Sequence, residues 1–138
     1  MDLMASTENA QRSYDAETER WQRLPFFSRY HCEGTAGVDI FRQNIALTPG
    51  STSRAFGFCF PPPLMVGPVV KYMAECRAHA VVVVPDAHEY WFPRLSQHTV
   101  RAVAIPRSGS FVFPHHRDGL RDFVYARHGM RAVELDFE

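Results

Sequence analysis

The sequence predicts a single α/β domain, expected to span residues 1–138, whose sheet is partly parallel with antiparallel strands near its carboxyl terminus. Two apolar runs rich in β-branched and aromatic residues flank a segment of helical periodicity in the middle of the chain. The carboxyl-terminal segment alternates between apolar and acidic side chains, as a half-buried strand does. A chain of 138 residues that is 46% hydrophobic is also long enough to form one sizeable core.

Charge, hydropathy and cysteine usage exclude several classes of protein. Fifteen basic and fifteen acidic side chains cancel, so no overall field attracts nucleic acid or a lipid surface. The longest apolar run is far shorter than the roughly 20 residues that span a bilayer, and no basic-then-apolar leader follows Met1. Three cysteines without a close pair are typical of a reducing compartment. We therefore expect an intracellular protein, cytoplasmic or nuclear, without a membrane partner.

The first third of the chain is predicted to contain one helix, one short strand and two loops. The segment Thr7–Leu24 is rich in Glu, Gln, Arg and Ala, and Pro25 is placed to end a surface helix there. Phe26–Tyr30 is typical of a short strand. Two segments containing glycine, serine and proline then enclose the short apolar piece Val38–Phe41 and are predicted to be loops.

The middle of the chain is predicted to form a strand–helix–strand unit. Ala55–Phe60 is apolar and aromatic and ends at three prolines, which indicates a strand buried on both faces. Leu64–His79 carries apolar side chains at helical spacing and predicts an amphipathic helix. Ala80–Val84 is a continuous β-branched run and predicts a second buried strand. Such a unit joins two parallel strands by a right-handed crossover.

The last third is predicted to be mostly strand. Glu89–His98 is expected to be a short helix or turn interrupted by Pro93, and Thr99–Ile105 a third strand. Further strands are predicted at Phe111–Phe113, Asp122–Ala126 and Arg131–Phe137, with a turn at His128–Gly129. Because one side of the last strand is apolar and the other acidic, we expect it to lie at an edge of the sheet with one solvated face.

The stretch Phe60–Pro63 follows the first buried strand directly. Ligands of open α/β sheets bind at the carboxyl ends of strands, and consecutive prolines form a rigid loop with few backbone donors. A ligand-binding loop and a simple strand stop before a helix both account for this stretch.

A series of motifs extends this interpretation to a family. DLMAS, FFSRY, VDIF, FGFCFPPPLMVGPVV, AVVVVPD and WFPRL occur in this order between Asp2 and Leu95. The series resembles the Dam-like methyltransferase domain that follows the reverse transcriptase and RNase H regions of DIRS-type, tyrosine-recombinase retroelements. That domain is in turn similar to phage adenine DNA methyltransferases.

The resemblance implies a class I methyltransferase core, a Rossmann-like sheet that holds S-adenosylmethionine over its carboxyl edge. Asp2 and Ala5 then correspond to residues that line the cofactor pocket, and Asp39 to an acidic group near the cofactor or target. Phe60–Pro63 corresponds to the catalytic motif, in which active enzymes carry Asp or Asn, two prolines and an aromatic residue. There the polar side chain accepts hydrogen bonds from the adenine amine, and the aromatic ring stacks on the flipped base.

The sequence departs from the pattern of an active enzyme at several points. Phe60 has no acceptor for an amine, and Pro63 has no ring that stacks on a base. The cofactor-binding segment of the family begins upstream of its first motif, whereas Asp2 here follows Met1, so we expect a fold truncated at its amino terminus with one pocket wall missing. No glycine-rich cofactor loop follows a predicted strand. We therefore expect a methyltransferase-like fold without methyl transfer; an active enzyme that uses Asp39 or Asp86 as acceptor is the alternative.

Arginines and aromatic residues alternate in the segment from residue 94 to residue 131, which predicts a basic surface able to stack on single-stranded nucleic acid. The candidate nucleic-acid contacts are Arg94, Arg101, Arg107, Arg117 and Arg121. An ordinary arginine-rich surface over a β core explains the composition equally well. A protein-interaction scaffold, with exposed aromatic anchors such as Trp91 and Phe92, is a further alternative.

Other polar constellations carry weaker signals. Potential metal ligands are His31, Cys32, His115, His116 and Asp118, but they lack the spacing of known metal motifs, and we predict no metal site. Cys59 and Cys76 lie in apolar segments and are expected to be core residues rather than nucleophiles. The polar residues after the second buried strand are Asp86, His88 and Glu89, and they are interpreted as a helix-capping loop or as groups at a sheet edge.

Overall fold

The computed structural model describes residues 1–86, 89–105, 112–117, 120–125 and 129–138, with the backbone alone described from 112 to 125. The described residues form ten strands and two α-helices. They are β1 (Arg12–Asp15), β2 (Arg20–Arg23), β3 (Phe27–Ser28), β4 (Gly37–Val38), β5 (Phe56–Cys59), α1 (Val66–Cys76), β6 (His79–Pro85), α2 (Phe92–Gln97), β7 (Thr99–Ile105), β8 (Val112–Arg117), β9 (Leu120–Tyr125) and β10 (Met130–Asp136). Short 3-10 turns at Ile40–Arg42 and Pro63–Met65 complete the regular structure.

The largest sheet is mixed, with the order β5-β6-β10-β7. Strand β5 pairs with β6 in parallel, with Gly57 opposite Ala80, and α1 makes the connection between them. Strand β10 is antiparallel to both of its neighbours, β6 and β7. The predicted strand–helix–strand unit and the prediction of a mixed α/β sheet are therefore confirmed.

The N-terminal segment, Met1–Ala5, extends this sheet beyond β5. Asp2 forms parallel bridges to both Phe26 and Phe58. The Leu3 amide donates to the Phe58 carbonyl at 2.8 Å, and the Phe27 amide donates to the Asp2 carbonyl at 3.0 Å. Since β3 pairs in parallel with β4, the hydrogen-bonded order is β4, β3, N-terminal segment, β5, β6, β10, β7.

The core lies between one face of this sheet and the two helices. Helix α1 presents a buried stripe of Val66, Val69, Val70 and Met73. Opposite it lie alternate residues of the two central strands, Ala80, Val82 and Val84 of β6 and Val133 and Leu135 of β10, all at most 2% exposed. These residues form one buried cluster with Trp91 and Leu95 at α2. The apolar face of α1 and the apolar faces of β6 and β10 are therefore the two sides of a single core.

The predicted helix over Thr7–Leu24 is wrong. This segment contains the antiparallel hairpin β1–β2, in which Tyr14 lies opposite Trp21 with ring centroids 5.6 Å apart. Asp15 organises the turn, because its carboxylate accepts hydrogen bonds from the Glu17 amide and the Thr18 hydroxyl. The thin apolar face gives a helix little to bury, and aromatic pairing across strands stabilises the hairpin instead.

Two further predictions are also wrong: one about which strand lies at the edge of the sheet, and one about the burial of β5. Strand β10 was expected at an edge, yet it lies between β6 and β7, and its alternation separates the core face from the opposite face of a central strand. The exposed edge is β7, where Val100 and Val103 are 63% and 59% exposed. Strand β5 was expected to be buried on both faces, but Phe56 is 52% exposed. Phe111 and His128, included in a predicted strand and turn, lie outside the described residues.

The sheet face opposite the helices carries a network of charged side chains. Glu134 of β10 lies 3.0 Å from the His79 ring nitrogen and 3.1 Å from the Arg101 guanidinium. Arg54 pairs with Asp136 and Glu138 on the same strand and just beyond it. These contacts connect β6, β10 and β7 across the sheet.

Replacing Glu134 with glutamine should reduce the pH dependence of stability. The hydrogen bond to His79 and the nearby Arg101 charge hold the pKa of Glu134 below its ordinary value. A carboxylate with a lowered pKa in the folded state stabilises the protein above its unfolded-state pKa of about 4.3, and that contribution is lost as the pH falls through the folded-state pKa. The difference in Tm between wild type and Glu134→Gln should therefore shrink as the pH falls below about 4.

Glu75→Gln is the matched control for this experiment. Glu75 is exposed and pairs with Lys71 at 3.9 Å within α1, a contact of little expected energy. Its Tm should follow that of the wild type across the pH range. A constant offset for Glu134→Gln at every pH would contradict the assignment of this carboxylate to the network.

Candidate functional site

The candidate site is the carboxyl edge of the parallel strands, at the boundary between the N-terminal segment and β5. The chain proceeds from the N-terminal segment to β3 and β4 on one side, and from β5 to β6 on the other. Ligands of open α/β sheets bind where the strand order reverses in this way. Of the predicted site residues, Ala5, Asp39 and Phe60–Pro63 follow or end strands at this edge.

The turn after the N-terminal segment is closed by side-chain contacts. Ala5 is half-buried, and its amide donates to the Phe27 carbonyl at 2.9 Å. Asn9 closes the turn, because its side-chain oxygen accepts from the Ser6 amide at 2.6 Å. The turn contains no glycine and leads into β1 rather than into a helix. It therefore lacks the helix N-terminus that binds phosphate or carboxylate groups in dinucleotide folds.

Asp39, which immediately follows β4, has an unusual backbone. Its φ of 63° and ψ of 103° lie in a sparsely populated region for a residue with a side chain. The carboxylate accepts from the Phe41 amide at 3.1 Å and lies 3.6 Å from Arg42, while the side chain stays 42% exposed. Asp39 thus caps its own 3-10 turn and remains accessible from solvent.

Asp2 lies inside the sheet rather than at its edge. The residue is 3% exposed, and its two carboxylate oxygens accept from the Met4 amide at 3.2 Å and the Gln11 amide at 3.0 Å. Burial raises the pKa of this carboxyl above its ordinary value, and the two amide hydrogen bonds oppose that shift. The carboxylate of Asp2 is therefore occupied by the protein's own backbone.

Phe60–Pro63 follows the carboxyl end of β5, as the sequence predicts. Phe60 is half-buried and Pro61 fully buried, whereas Pro62 and Pro63 are exposed. The Pro62 carbonyl accepts from the Met65 amide at 2.8 Å and begins the turn that leads into α1. None of these four side chains contains a hydrogen-bond acceptor, so this loop cannot hold an exocyclic amine in the way that the family's motif does.

The hydroxyls of Thr7, Ser28 and Thr35 and the thiol of Cys32 lie around the end of β3. The sequence did not predict this grouping. The Thr7 hydroxyl donates to the Glu33 carbonyl at 2.7 Å, and Ser28 and Thr35 join their hydroxyls at 2.9 Å. Hydrogen bonds from Thr7 and Ser28 lower the pKa of the Cys32 thiol. Ser28, Cys32 and Thr35 are close in the sequence but match no known motif, and the fold adds Thr7 from the distant N-terminal turn.

The residues at this edge do not fit S-adenosylmethionine. A site for this cofactor needs accessible acceptors for an ammonium group and ribose hydroxyls, and backbone donors for a carboxylate. Asp2 is buried and satisfied, the turn at Ser6 lacks a helix N-terminus, and Asp39 already caps its own turn. The donor and acceptor set of a cofactor pocket is therefore incomplete here.

The predicted nucleic-acid contacts fall into three groups. Arg94 is exposed on α2, and Arg101 is 76% exposed on β7 but paired with Glu134. Arg107 lies outside the described residues. The backbone places Arg117 and Arg121 beside the turn of the antiparallel hairpin β8–β9, where Arg117 lies opposite Leu120 and His116 opposite Arg121. The structure therefore brings two of the five arginines to one end of this hairpin.

The remaining candidates are dispersed or buried. Cys59 is fully buried, and burial raises the pKa of its thiol. Asp86 lies at the end of β6 and pairs with Arg131, and Glu89 is exposed before α2. His88 and Asp118 lie outside the described residues. Among the described residues, no three His, Cys, Asp or Glu side chains are placed to hold a metal ion.

Comparison with known proteins adds no relative. No protein-family model matches the chain, and no curated protein or solved structure is significantly similar to it. Neither helix of the described chain has the length and apolar character needed to cross a bilayer.

Proposed function

We propose that this chain is a methyltransferase-like domain that does not transfer a methyl group and that binds single-stranded nucleic acid through its arginine-rich second half. The observation that carries the proposal is the Phe60–Pro63 loop: it stands at the carboxyl end of β5, where a catalytic motif is expected, and has no acceptor for an amine. A loop that stands where the catalytic motif is expected, but lacks the acceptor of that motif, is what a degenerate site predicts.

The strand arrangement supports the methyltransferase-like part of the proposal. The N-terminal segment, β3, β4, β5 and β6 are connected through parallel pairings, and the antiparallel β10 is inserted between β6 and β7. A partly parallel sheet is compatible with the Rossmann-like sheet that the resemblance to Dam-like domains implies, and the antiparallel carboxyl-terminal strand is the one that the sequence pattern predicts.

The hairpin β8–β9 supports the nucleic-acid part. Its backbone places Arg117 and Arg121 at adjacent, non-paired positions at the same end of the hairpin, with Arg117 opposite Leu120 and Arg121 opposite His116. The cancelling charge of the whole chain makes a local cluster of arginines necessary for phosphate binding. Arginine is also suited to this role, since its planar guanidinium binds phosphate in two-point contacts and stacks on bases.

A salt titration tests this proposal. Binding to a fluorescent single-stranded oligonucleotide of about 20 nucleotides should weaken steeply between about 50 and 200 mM salt, for DNA or for RNA. The triple variant Arg107→Ala/Arg117→Ala/Arg121→Ala should bind more weakly and lose about two units of slope in the plot of log affinity against log salt. Fluorescence anisotropy measures both effects.

The matched control removes three arginines from the other hairpin. Arg12, Arg20 and Arg23 are all exposed on β1–β2, and their triple alanine variant changes the net charge equally. Its salt slope should equal that of the wild type. Equal losses in both triple variants, or binding that does not respond to salt, would contradict the proposal; a salt-insensitive protein complex would favour the interaction scaffold instead.

A working methyltransferase is the second candidate, and Asp39 is the residue that favours it. Strained backbone in a residue other than glycine is concentrated at functional sites, and Asp39 is both strained and accessible. In this candidate Asp39 contacts the cofactor and also supplies the acceptor that Phe60 lacks. Asp39→Ala should then abolish binding of S-adenosylmethionine, and a variant that binds as well as the wild type would exclude this role.

A further inference from the structure

A cavity of about 330 Å³ lies between α2 and the sheet, away from the N-terminal segment and β5. Its floor consists of Val84, Trp91, Leu95 and Val133, all at most 6% exposed. The volume is at the small end of the range of ligand sites, which runs from about 300 to 1,000 Å³. The cavity therefore has room for an apolar group of the size of one aromatic ring with a short substituent.

The charged part of the lining is one ion pair, Asp86 with Arg131. Arg131 Nε lies 3.0 Å from Asp86 Oδ1. This nitrogen is nevertheless buried without a hydrogen bond of acceptable geometry, so the contact is electrostatic and leaves a donor unsatisfied. Asp86 is held in place by its amide, which donates to the Gly129 carbonyl at 2.7 Å.

The two hydroxyls of the lining have already used their protons. The Thr99 hydroxyl donates to the Leu95 carbonyl at 2.8 Å, and the Ser96 hydroxyl donates to the Pro93 carbonyl at 3.4 Å. Arg131 is therefore the charged donor that the cavity offers to a ligand, beside the indole N–H of Trp91, and its guanidinium carries five N–H groups. The side chain is 42% exposed, so a ligand reaches it without opening the core.

From this combination we propose that the cavity binds a small aromatic or branched aliphatic carboxylate. The apolar body packs on Trp91 and Leu95, and the planar carboxylate accepts hydrogen bonds from the planar guanidinium of Arg131. Asp86 fixes the guanidinium of Arg131. The negative charge of Asp86 also limits the approach of the anion to the side of the guanidinium that faces away from the Asp86 carboxylate. No covalent step is involved.

This site is independent of the proposed function. The cavity is lined by residues of β6, α2, β7 and β10, and none of the three arginines replaced in the nucleic-acid test, Arg107, Arg117 and Arg121, is among the described lining residues. Loss of nucleic-acid binding would leave the carboxylate site intact. Failure of one proposal therefore does not imply failure of the other.

Binding of phenylacetate to the full chain, followed by amide NMR, tests the inference. Phenylacetate added to about 10 mM should cause saturable shifts at the residues around the cavity, with millimolar or tighter affinity. The neutral isostere phenylacetamide should bind about tenfold more weakly, because it loses the charge-assisted hydrogen bonds. Arg131→Gln should abolish this preference, and the control Arg12→Gln, an exposed arginine on β1 outside the cavity lining, should retain it.

A second variant covers the case in which Arg131→Gln does not fold. Ser96 is exposed on α2 at the rim of the cavity, and Ser96→Phe should obstruct entry and remove the shifts while the spectrum stays folded. Saturable shifts that are lost in Ser96→Phe support the site. No localised shift with phenylacetate, or equal binding of the acid and the amide, would overturn the proposal.

Discussion

Replacing Leu3 with alanine is expected to lower the free energy of unfolding by about 2–5 kcal/mol, the range for removing a large buried aliphatic side chain. Leu3 is fully buried, and its amide hydrogen-bonds to the Phe58 carbonyl of β5. The side chain therefore fixes the N-terminal segment to the sheet as well as filling the core. Urea denaturation followed by circular dichroism measures the change.

The contact between Leu3 and Gly57 offers a sharper form of the same test. A Cβ atom at Gly57 would lie 2.9 Å from the Leu3 side chain and 3.2 Å from the Ala80 Cβ. Gly57→Ala should therefore destabilise by about 1–3 kcal/mol, as overpacking does. In the double variant with Leu3→Ala the clash with Leu3 is relieved, so the two losses should fall short of additivity by about 0.5–3 kcal/mol.

Leu64→Ala provides the control for both variants. Leu64 is 91% exposed, so the same loss of side-chain carbon should change stability by less than about 0.5 kcal/mol. Strict additivity of Leu3→Ala and Gly57→Ala would contradict the placement of the N-terminal segment against β5, on which the position of the candidate site depends.

Asp2→Ala is expected to be the other strongly destabilising variant, with a loss of about 2–4 kcal/mol. Asp2 is 3% exposed, and the substitution removes the carboxylate that accepts hydrogen bonds from the Met4 and Gln11 amides; a hydrogen bond to a charged group contributes about 1.5–3 kcal/mol. Asp2→Asn keeps one acceptor oxygen and should lose less. Thermal unfolding in the absence of any ligand measures both variants.

This result bears on function because the resemblance places Asp2 in a cofactor pocket. A residue that serves a ligand changes binding and has little effect on the Tm of the free protein. Replacing a residue that accepts hydrogen bonds from the protein's own backbone lowers the Tm of the free protein directly. A free protein with unchanged Tm in Asp2→Ala would contradict the structural role and favour the cofactor role.

The sequence was sufficient to predict the central strand–helix–strand unit because its pattern is local. Two apolar runs and one helical stripe lie within about thirty residues, a length that a single crossover needs. The burial of Val69, Met73 and Val82 then follows from the same pattern. Helix α1 begins at Val66, two residues after the predicted start, because prolines form a 3-10 turn first.

The hairpin β1–β2 and the position of β10 depend on contacts that a local pattern does not contain. Helix propensity favoured a helix between Thr7 and Leu24, but pairing of Tyr14 with Trp21 across the strands determines the outcome. Alternation in β10 correctly separated its two faces. It could not distinguish an edge strand from a central strand, since both have one core face.

At the candidate site, the sequence predicted where the residues lie in the fold better than it predicted their burial and hydrogen bonding. The carboxyl ends of strands place Asp39 and Phe60 at one edge, as expected from parallel topology. Three features arise from tertiary packing: the burial of Asp2, the strained backbone of Asp39, and the hydrogen-bonded hydroxyls of Ser28 and Thr35. Each changes what the residue can bind, and no residue type or spacing encodes it.

The claim that this edge does not bind S-adenosylmethionine is tested most directly by the Tm of the full chain with and without about 1 mM of that compound. A ligand at about a hundred times its dissociation constant stabilises the folded state by roughly 2.7 kcal/mol, a rise of several degrees for a domain of this size. The incomplete donor and acceptor set predicts no shift. A rise of several degrees that disappears in Asp39→Ala would contradict the account and indicate a functional cofactor pocket at this edge, with methyl transfer then to be assayed on DNA and RNA.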